Sequence, residues 1–115
     1  MKITKKTRLL AGAKRVAITE FKVRMDGDTA EALLKGKNLD GVTGYDPVDG
    51  SFTARLYDGD TDMGEWSFYP FDEDGTWRCG GLQVGVDEIV KIVLTPDPAK
   101  TDFDHTPVEA TDMVE

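Results

Sequence analysis

Residues 52–79 read FTARLYDGDTDMGEWSFYPFDEDGTWRC and decide the fold class of this chain. Three runs within this stretch, the first of them FTARLY at residues 52–57, alternate apolar and polar residues with a period of two. That period is typical of strands with one buried face. The runs are separated by residues 58–62 and 72–75, which contain Asp-Gly pairs typical of hairpin turns. We therefore predict a three-stranded antiparallel meander that supplies most of the core.

The flanking segments predict further strands. Residues 15–25 alternate but change phase near residues 19–20, which indicates a β-bulge. Residues 29–36 fit either one short helix or a strand; local propensity favours the helix, and we favour the strand because the surrounding segments are strands. Residues 88–95 are nearly continuous in apolar residues, which predicts a last, central strand covered on both sides.

The spacing of these segments predicts an all-β chain. About seven short antiparallel strands, with turns every 8 to 12 residues or so, are typical of a single β-sandwich. We divide the chain into a basic N-terminal arm at residues 1–14, the sandwich at residues 15–96 and an extended acidic C-terminal tail at residues 97–115.

Charge is distributed unevenly along the chain, whose net charge is −8. Ten of its 14 Lys and Arg residues fall within residues 1–37, and 18 of its 22 Asp and Glu residues fall within residues 38–115. Such asymmetry favours electrostatic contacts with a charged partner or between chains, although a solvated acidic surface is the alternative. We predict that Lys5, Lys6 and Arg8 pair with acids on neighbouring molecules.

The acidic turns are the candidate binding residues of the body. Residues 58–62 offer oxygens at alternate positions, as calcium loops do, but Met63 and Tyr69 occupy the positions where an EF-hand has Gly and Glu. A looser calcium turn and a solvated acidic hairpin remain alternatives; we predict no metal and no cofactor. The predicted partner-binding acids are Asp58, Asp60, Asp62, Asp72 and Asp74.

Residue usage argues against an enzyme. The chain has one cysteine, Cys79, and one histidine, His105, so zinc sites and the common hydrolytic triads lack parts. We expect Cys79 to be a buried apolar residue. The single cysteine favours a reducing compartment, residues 9–13 are too short for a signal-peptide hydrophobic region, and no apolar run is long enough to span a membrane. We therefore expect a chain that is made in the cytoplasm. The acidic body disfavours direct contact with nucleic acid.

Two short stretches resemble immunoglobulin-like (Ig-like) modules. Residues 33–39, LLKGKNL, are similar to the second strand of IPT/TIG-type domains, and residues 71–77, FDEDGTW, resemble a turn of bacterial adhesin-type Ig-like repeats. The resemblance implies a two-sheet Ig-like sandwich acting as a spacer or binding module without an active site. Small domains of this kind also occur on bacteriophage particles, as head decoration and tail proteins.

We therefore expect a non-enzymatic interaction protein working in a homo- or hetero-oligomeric assembly, as a virion accessory protein of a bacteriophage that is made in the cytoplasm and associates with the virion. The alternative is an acidic inhibitor, of the anti-defence type, that imitates a phosphate backbone and blocks a nucleic-acid-binding protein.

Overall fold

The computed structural model describes residues 2–3, 16–37, 39–46, 48–71, 75–99 and 105–115, and most of these residues lie in strands. The described residues contain no α-helix; a single 3-10 turn lies at Leu39–Gly41. The all-β prediction is confirmed. The strands are β1 (Lys2–Ile3), β2 (Ala17–Asp26), β3 (Thr29–Lys37), β4 (Phe52–Asp58), β5 (Thr61–Pro70), β6 (Thr76–Leu82), β7 (Ile89–Leu94) and β8 (Val108–Met113).

The strands form one antiparallel sheet in the order β1-β8-β7-β4-β5-β6-β3-β2. Strand β5 joins its two halves, because most of it pairs with β4 while Tyr69 and Pro70 pair with β6. The sheet curls until its two sides meet at a seam. There the Met25 N–H donates to the Glu115 carbonyl at 2.8 Å, and the Glu115 N–H donates to the Val23 carbonyl at 3.2 Å. This bonding pattern is that of parallel strands, so the sheet nearly closes into a barrel.

The core lies inside this curled sheet. The meander alternates as predicted: Phe52, Ala54 and Leu56 of β4 are buried, and the ring of Phe52 stacks on that of Phe68 at 5.3 Å between centroids. Trp77 meets Phe52 edge-on at 5.8 Å. Aromatic pairs in these geometries add to the stability gained by burial alone.

The β2–β3 hairpin settles two sequence predictions. The register of β2 against β3 shifts between Ile18 and Glu20, which confirms the predicted bulge. Strand β3 pairs with β2 on one side and β6 on the other, so the helix alternative at residues 29–36 is wrong. Two flanking ladders satisfy the backbone of β3, and this non-local pairing outweighs local helix propensity.

The predicted C-terminal tail needs correction. Residues 108–113 form β8, which pairs along its length with β7. Val108, Ala110 and Val114 are buried. They alternate with a period of two, but Asp112 occupies the same inward phase and interrupts the apolar pattern, which is why the residues read as a tail. The segment is acidic and still contributes core.

The neighbouring strand β7 also differs from its prediction. It is central, between β4 and β8, but it is not the last strand. Only one of its faces is covered: Val90, Ile92 and Leu94 are buried, whereas Ile89 is 42% exposed. Apolar residues on both faces of this strand thus leave part of its outer face open to solvent.

The ends of the chain carry the remaining predictions of organisation. Lys2 and Ile3 of the predicted arm pair with Thr111 and Ala110 of β8. Residues 4–14 lie outside the described residues. In the described part of the chain, no helix is long and apolar enough to cross a membrane.

Candidate functional site

The predicted site residues fall into two groups. Lys5, Lys6, Arg8, Asp72 and Asp74 lie outside the described residues. Asp58, Asp60 and Asp62 lie at the turn between β4 and β5. The acids at 72 and 74 belong to the connection that follows the other end of β5. Ten strand residues span about 30 Å, so the two acidic turns of the meander are set far apart.

Asp62 is engaged within its own hairpin. Its two carboxylate oxygens each accept a hydrogen bond from Arg55 Nη1 at 2.7 Å, and Oδ1 also accepts from the Gly64 N–H at 2.8 Å. The bond from the Gly64 backbone, then the bond and charge of Arg55, hold the pKa of Asp62 below its ordinary value. These contacts give Asp62 a structural role in the hairpin.

Asp58 lies against a carboxylate from a different loop. A hydrogen bond with the Glu88 side chain, then partial burial and the Glu88 charge, raise the pKa of Asp58 above its ordinary value. A backbone bond holds the two loops together and so keeps Asp58 beside Glu88: the Gly59 N–H donates to the Ile89 carbonyl at 2.8 Å. Two carboxylates held together favour sharing a proton or facing a cation.

Strand direction brings three turns or loops and the last residues of the chain to one end of the barrel. Strands β2, β4, β6 and β8 run toward this end, so it collects residues 26–28, 58–62, 83–88 and 112–115. We call these four segments the acidic pole, because they contain no Lys or Arg. Their charged residues are Asp26, Asp28, Asp58, Asp60, Asp62, Asp87, Glu88, Asp112 and Glu115.

An apolar patch borders this pole on the outer face of the sheet. Ile89 and Met113 are cross-strand partners and are 42% and 50% exposed. Val86, in the loop that leads into β7, is 60% exposed. Partner side chains on adjacent strands lie about 5 Å apart, so Ile89 and Met113 form one surface. We call Val86, Ile89 and Met113 the apolar patch.

A second surface lies on the outer face of β2, β3 and β6. Glu31 is buried there between two arginines: its Oε1 accepts from Arg24 Nε at 2.6 Å, and its Oε2 accepts a short hydrogen bond from Arg78 Nε. Arg78 also reaches Asp26, with Nη2 and Oδ2 3.2 Å apart. Burial raises the pKa of Glu31, but the bonds and charges of Arg24 and Arg78 outweigh it, so the pKa lies below its ordinary value.

Aromatic side chains extend this second surface. The Phe71 ring lies under the Arg78 guanidinium, 5.6 Å from its carbon to the ring centroid, and Phe71 is 49% exposed. Tyr69 is 56% exposed and is the cross-strand partner of Arg78. We call Arg24, Glu31, Tyr69, Phe71 and Arg78 the aromatic–arginine face. A shallow hollow of about 140 Å³ lies beside it, lined by Glu20, Lys22, Arg24, Leu33, Leu34, Lys35, Phe71 and Thr76.

The sequence predictions did not include the aromatic–arginine face, although the register of the β2–β3 hairpin predicts the pairing of Arg24 with Glu31. A two-residue turn at Gly27 and Asp28 makes Asp26 pair with Thr29 and therefore Arg24 with Glu31, as observed. Gly27 has a φ of 64°, at the turn position that type II′ reserves for glycine. The contact of Glu31 with Arg78, 47 residues away, had no comparable local signal.

The remaining candidates for chemistry are the thiol of Cys79 and clusters of metal-binding side chains. Cys79 is buried, as expected, and burial raises the pKa of its thiol to about 11 although the Arg78 charge acts to lower it. Among the described residues, no three His, Cys, Asp or Glu side chains come together in a way that could hold a metal ion. No known protein family, curated protein or solved structure matches the chain.

Proposed function

We propose that this chain is an Ig-like sandwich that works as a non-enzymatic interaction protein in an assembly, as an accessory protein of a bacteriophage particle. The strand order supports the fold. When β2 to β8 are lettered A to G, the observed order reads G-F-C-D-E-B-A. An Ig-like sandwich places A, B, E and D in one sheet and C, F and G in the other. The parallel bonds between β2 and the end of β8 join strands A and G.

The observation that carries the interaction function is the aromatic–arginine face. Tyr, Phe and Arg are the residues that protein interfaces favour, and they dominate binding energy where they are held in place. Arg24 and Arg78 are held by the buried Glu31, and Phe71 is held against Arg78. A partner therefore meets side chains that have little freedom left to lose on binding.

The particle assignment rests on the resemblance of residues 33–39 and 71–77 to Ig-like modules, together with this exposed face. An accessory domain needs a folded core, a surface for the particle and no chemistry of its own. The exposed aromatic residues and the segregated charges both offer a surface on which the particle could be contacted.

Sedimentation with particles tests this function. A tagged copy of the chain is expressed in cells that produce the particle, and the particles are separated on a density gradient. We expect the chain in the particle fraction, and we expect Tyr69→Ser with Phe71→Ser to move it to the soluble fraction. Val48→Ser is the matched control, because Val48 is 94% exposed at a different loop. Wild-type chain that stays wholly soluble while particles form would contradict the proposal.

A second candidate, the acidic inhibitor, is favoured by the acidic pole. Four separate segments there present carboxylates and contain no Lys or Arg, although Arg55 and Arg78 reach Asp62 and Asp26 from neighbouring strands. Such a surface suits a basic nucleic-acid-binding surface. The inhibitor candidate is weakened by the distance between the turns at residues 58–62 and 72–75, since one partner surface would have to contact both turns. Loss of inhibition in Asp58→Asn with Asp60→Asn, measured on a purified nuclease or other nucleic-acid-binding enzyme of the host, is the outcome expected of this candidate. Inhibition unchanged by these substitutions, or never found, removes it.

A further inference from the structure

We propose that residues 4–15 of one copy of this chain dock on the apolar patch and the acidic pole of a second copy. This inference rests on the proposed function, because it names how neighbouring copies contact one another within the assembly. The docking surface consists of described residues: Ile89 and Met113 on the outer face of the sheet and Val86 in the loop before β7 are its apolar part, and Asp58, Asp60 and Glu88 at the adjacent end of the barrel are its acidic part.

The surface requires an occupant that is both apolar and basic. Exposed apolar side chains grouped on one face mark interaction sites, and a charged border selects the partner of opposite sign. Residues 4–15 read TKKTRLLAGAKR, with five basic residues, two adjacent leucines and no acid. The leucines match the patch, and the basic residues match the border.

The length of this segment restricts docking on its own copy, because both of its ends are tethered there. It leaves β1 at Ile3, which pairs with Ala110, and joins Val16 at the far end of β2. Strand β1 runs antiparallel to β8, so Ile3 is the end of β1 that lies farther from the acidic pole.

A return to Met113 from Ile3 covers about 10 Å, and the path from there to Val16 covers about 20 Å along β2, because Glu115 bonds to Val23 and Met25. The segment reaches about 45 Å when fully stretched, so docking on its own copy would use about two-thirds of this reach before any sideways step and leave little slack for a seated leucine pair. A second copy has no such restriction.

Docking of this kind is head-to-tail. The contact joins two different surfaces of the chain, so each copy keeps one free surface of each kind. Such heterologous contacts build rings if the rotation closes and open chains if it does not. Repeated contacts of this type suit a protein that covers a particle.

Sedimentation velocity on the full chain, as a concentration series in low salt, tests the inference. We expect the sedimentation coefficient to rise with concentration. We expect the association to weaken in 0.5 M salt, because the Debye length falls from about 10 Å at 0.1 M to about 4 Å. The segment-reversed variant (Lys5→Glu, Lys6→Glu, Arg8→Glu) and the pole-reversed variant (Asp60→Lys, Glu88→Lys) should each associate about tenfold or more weakly.

A mixture of the two reversed variants provides the decisive observation. The acidic segment of one then faces the basic pole of the other, and association should return. Glu65→Lys with Glu109→Lys, placed on outer strand faces away from the pole, matches the charge change and should leave association unchanged. Met113→Ser should weaken association, and Val48→Ser should not.

A peptide of residues 4–15 separates docking from assembly. Added to the ¹⁵N-labelled full chain, it should shift the amide signals of Val86, Ile89 and Met113. A wild-type chain that stays monomeric, a mixture that fails to associate, or peptide shifts elsewhere would each overturn the inference. Particle binding by a monomeric chain would overturn only this inference and leave the proposed function standing.

Discussion

The carboxylate of Asp112 on β8 accepts a hydrogen bond from the backbone N–H of Val23 on β2, with Oδ2 and N 2.7 Å apart. Asp112 is only 6% exposed. The seam between β2 and the end of β8 therefore contains a side-chain bond from Asp112 in addition to the backbone bonds of Glu115. A buried donor without an acceptor costs about 1–3 kcal/mol, so this one contact is worth a large share of a small domain's stability.

Replacement of Asp112 tests the seam. Asp112→Ala should lower the free energy of unfolding by about 1–3 kcal/mol, because the Val23 N–H loses its acceptor inside the protein. Asp112→Asn keeps an oxygen acceptor and should cost less. Urea unfolding measures both, and hydrogen exchange at the Val23 amide should quicken in the alanine variant. Equal stability of the alanine variant and the wild type would show that the bond contributes nothing.

Removal of the last two residues distinguishes a strand from a tail. A chain ending at Met113 loses the buried Val114 and both seam bonds of Glu115. We expect a loss of about 2–4 kcal/mol in thermal or urea unfolding, from the buried valine and the unpaired backbone groups. Glu115→Gln is the control, since it keeps the backbone, and it should be neutral. An unchanged melting temperature after truncation would restore the tail interpretation.

The Glu31 cluster predicts a pH-dependent stability. The pKa of Glu31 is lower in the folded chain than in the unfolded one, so its contribution is complete above the unfolded pKa and is lost as the pH falls through the folded pKa. Glu31→Gln should therefore cost about 1–2 kcal/mol at pH 7, since both arginines are partly exposed, and little below about pH 3. Urea unfolding at the two pH values checks this. A cost that is the same at both would contradict the ionic origin.

The Asp58–Glu88 contact predicts the opposite trend. The pKa of Asp58 is raised on folding, so stability is complete below the unfolded pKa and is lost as the pH rises through the folded one. Glu88→Gln should stabilise the chain by about 0.5 kcal/mol at pH 7 and have no effect near pH 3. Asp28→Asn, in a different exposed turn, is the comparison. A destabilised Glu88→Gln variant at neutral pH would reverse the sign of the interaction.

The buried thiol of Cys79 should react slowly with disulfide reagents in the native chain. Burial raises the pKa of its thiol to about 11, so almost no thiolate exists at pH 8 and the sulfur is inaccessible. A disulfide-exchange reagent at pH 8 should label it only as fast as the chain unfolds, and at once in concentrated urea. Rapid labelling of the native chain would place Cys79 at a solvent-accessible site.

Local pattern accounts for the elements that the sequence predicted correctly. The alternation at residues 52–57, the phase change at residues 19–20 and the turn at residues 27–28 are all properties of short stretches, and the structure has each of them. Strand β8 failed the same test because a single inward acid, Asp112, broke its pattern. The sequence does not indicate that the carboxylate of Asp112 accepts a hydrogen bond from the backbone N–H of Val23, which is 89 residues away.

Local sequence pattern was enough to predict an all-β chain and the positions of most strands, and the sequence also contains the strongly uneven charge. Which turns share an end became visible only in the folded chain, because that depends on strand direction and on pairing across the whole chain. The pairing of β3 with β6 brought Arg78 to Glu31, and the pairing of β4 with β7 brought Asp58 to Glu88. The same pairing set the two acidic turns of the meander at opposite ends of β5. Periodicity is local, whereas a surface is assembled from residues far apart in the chain.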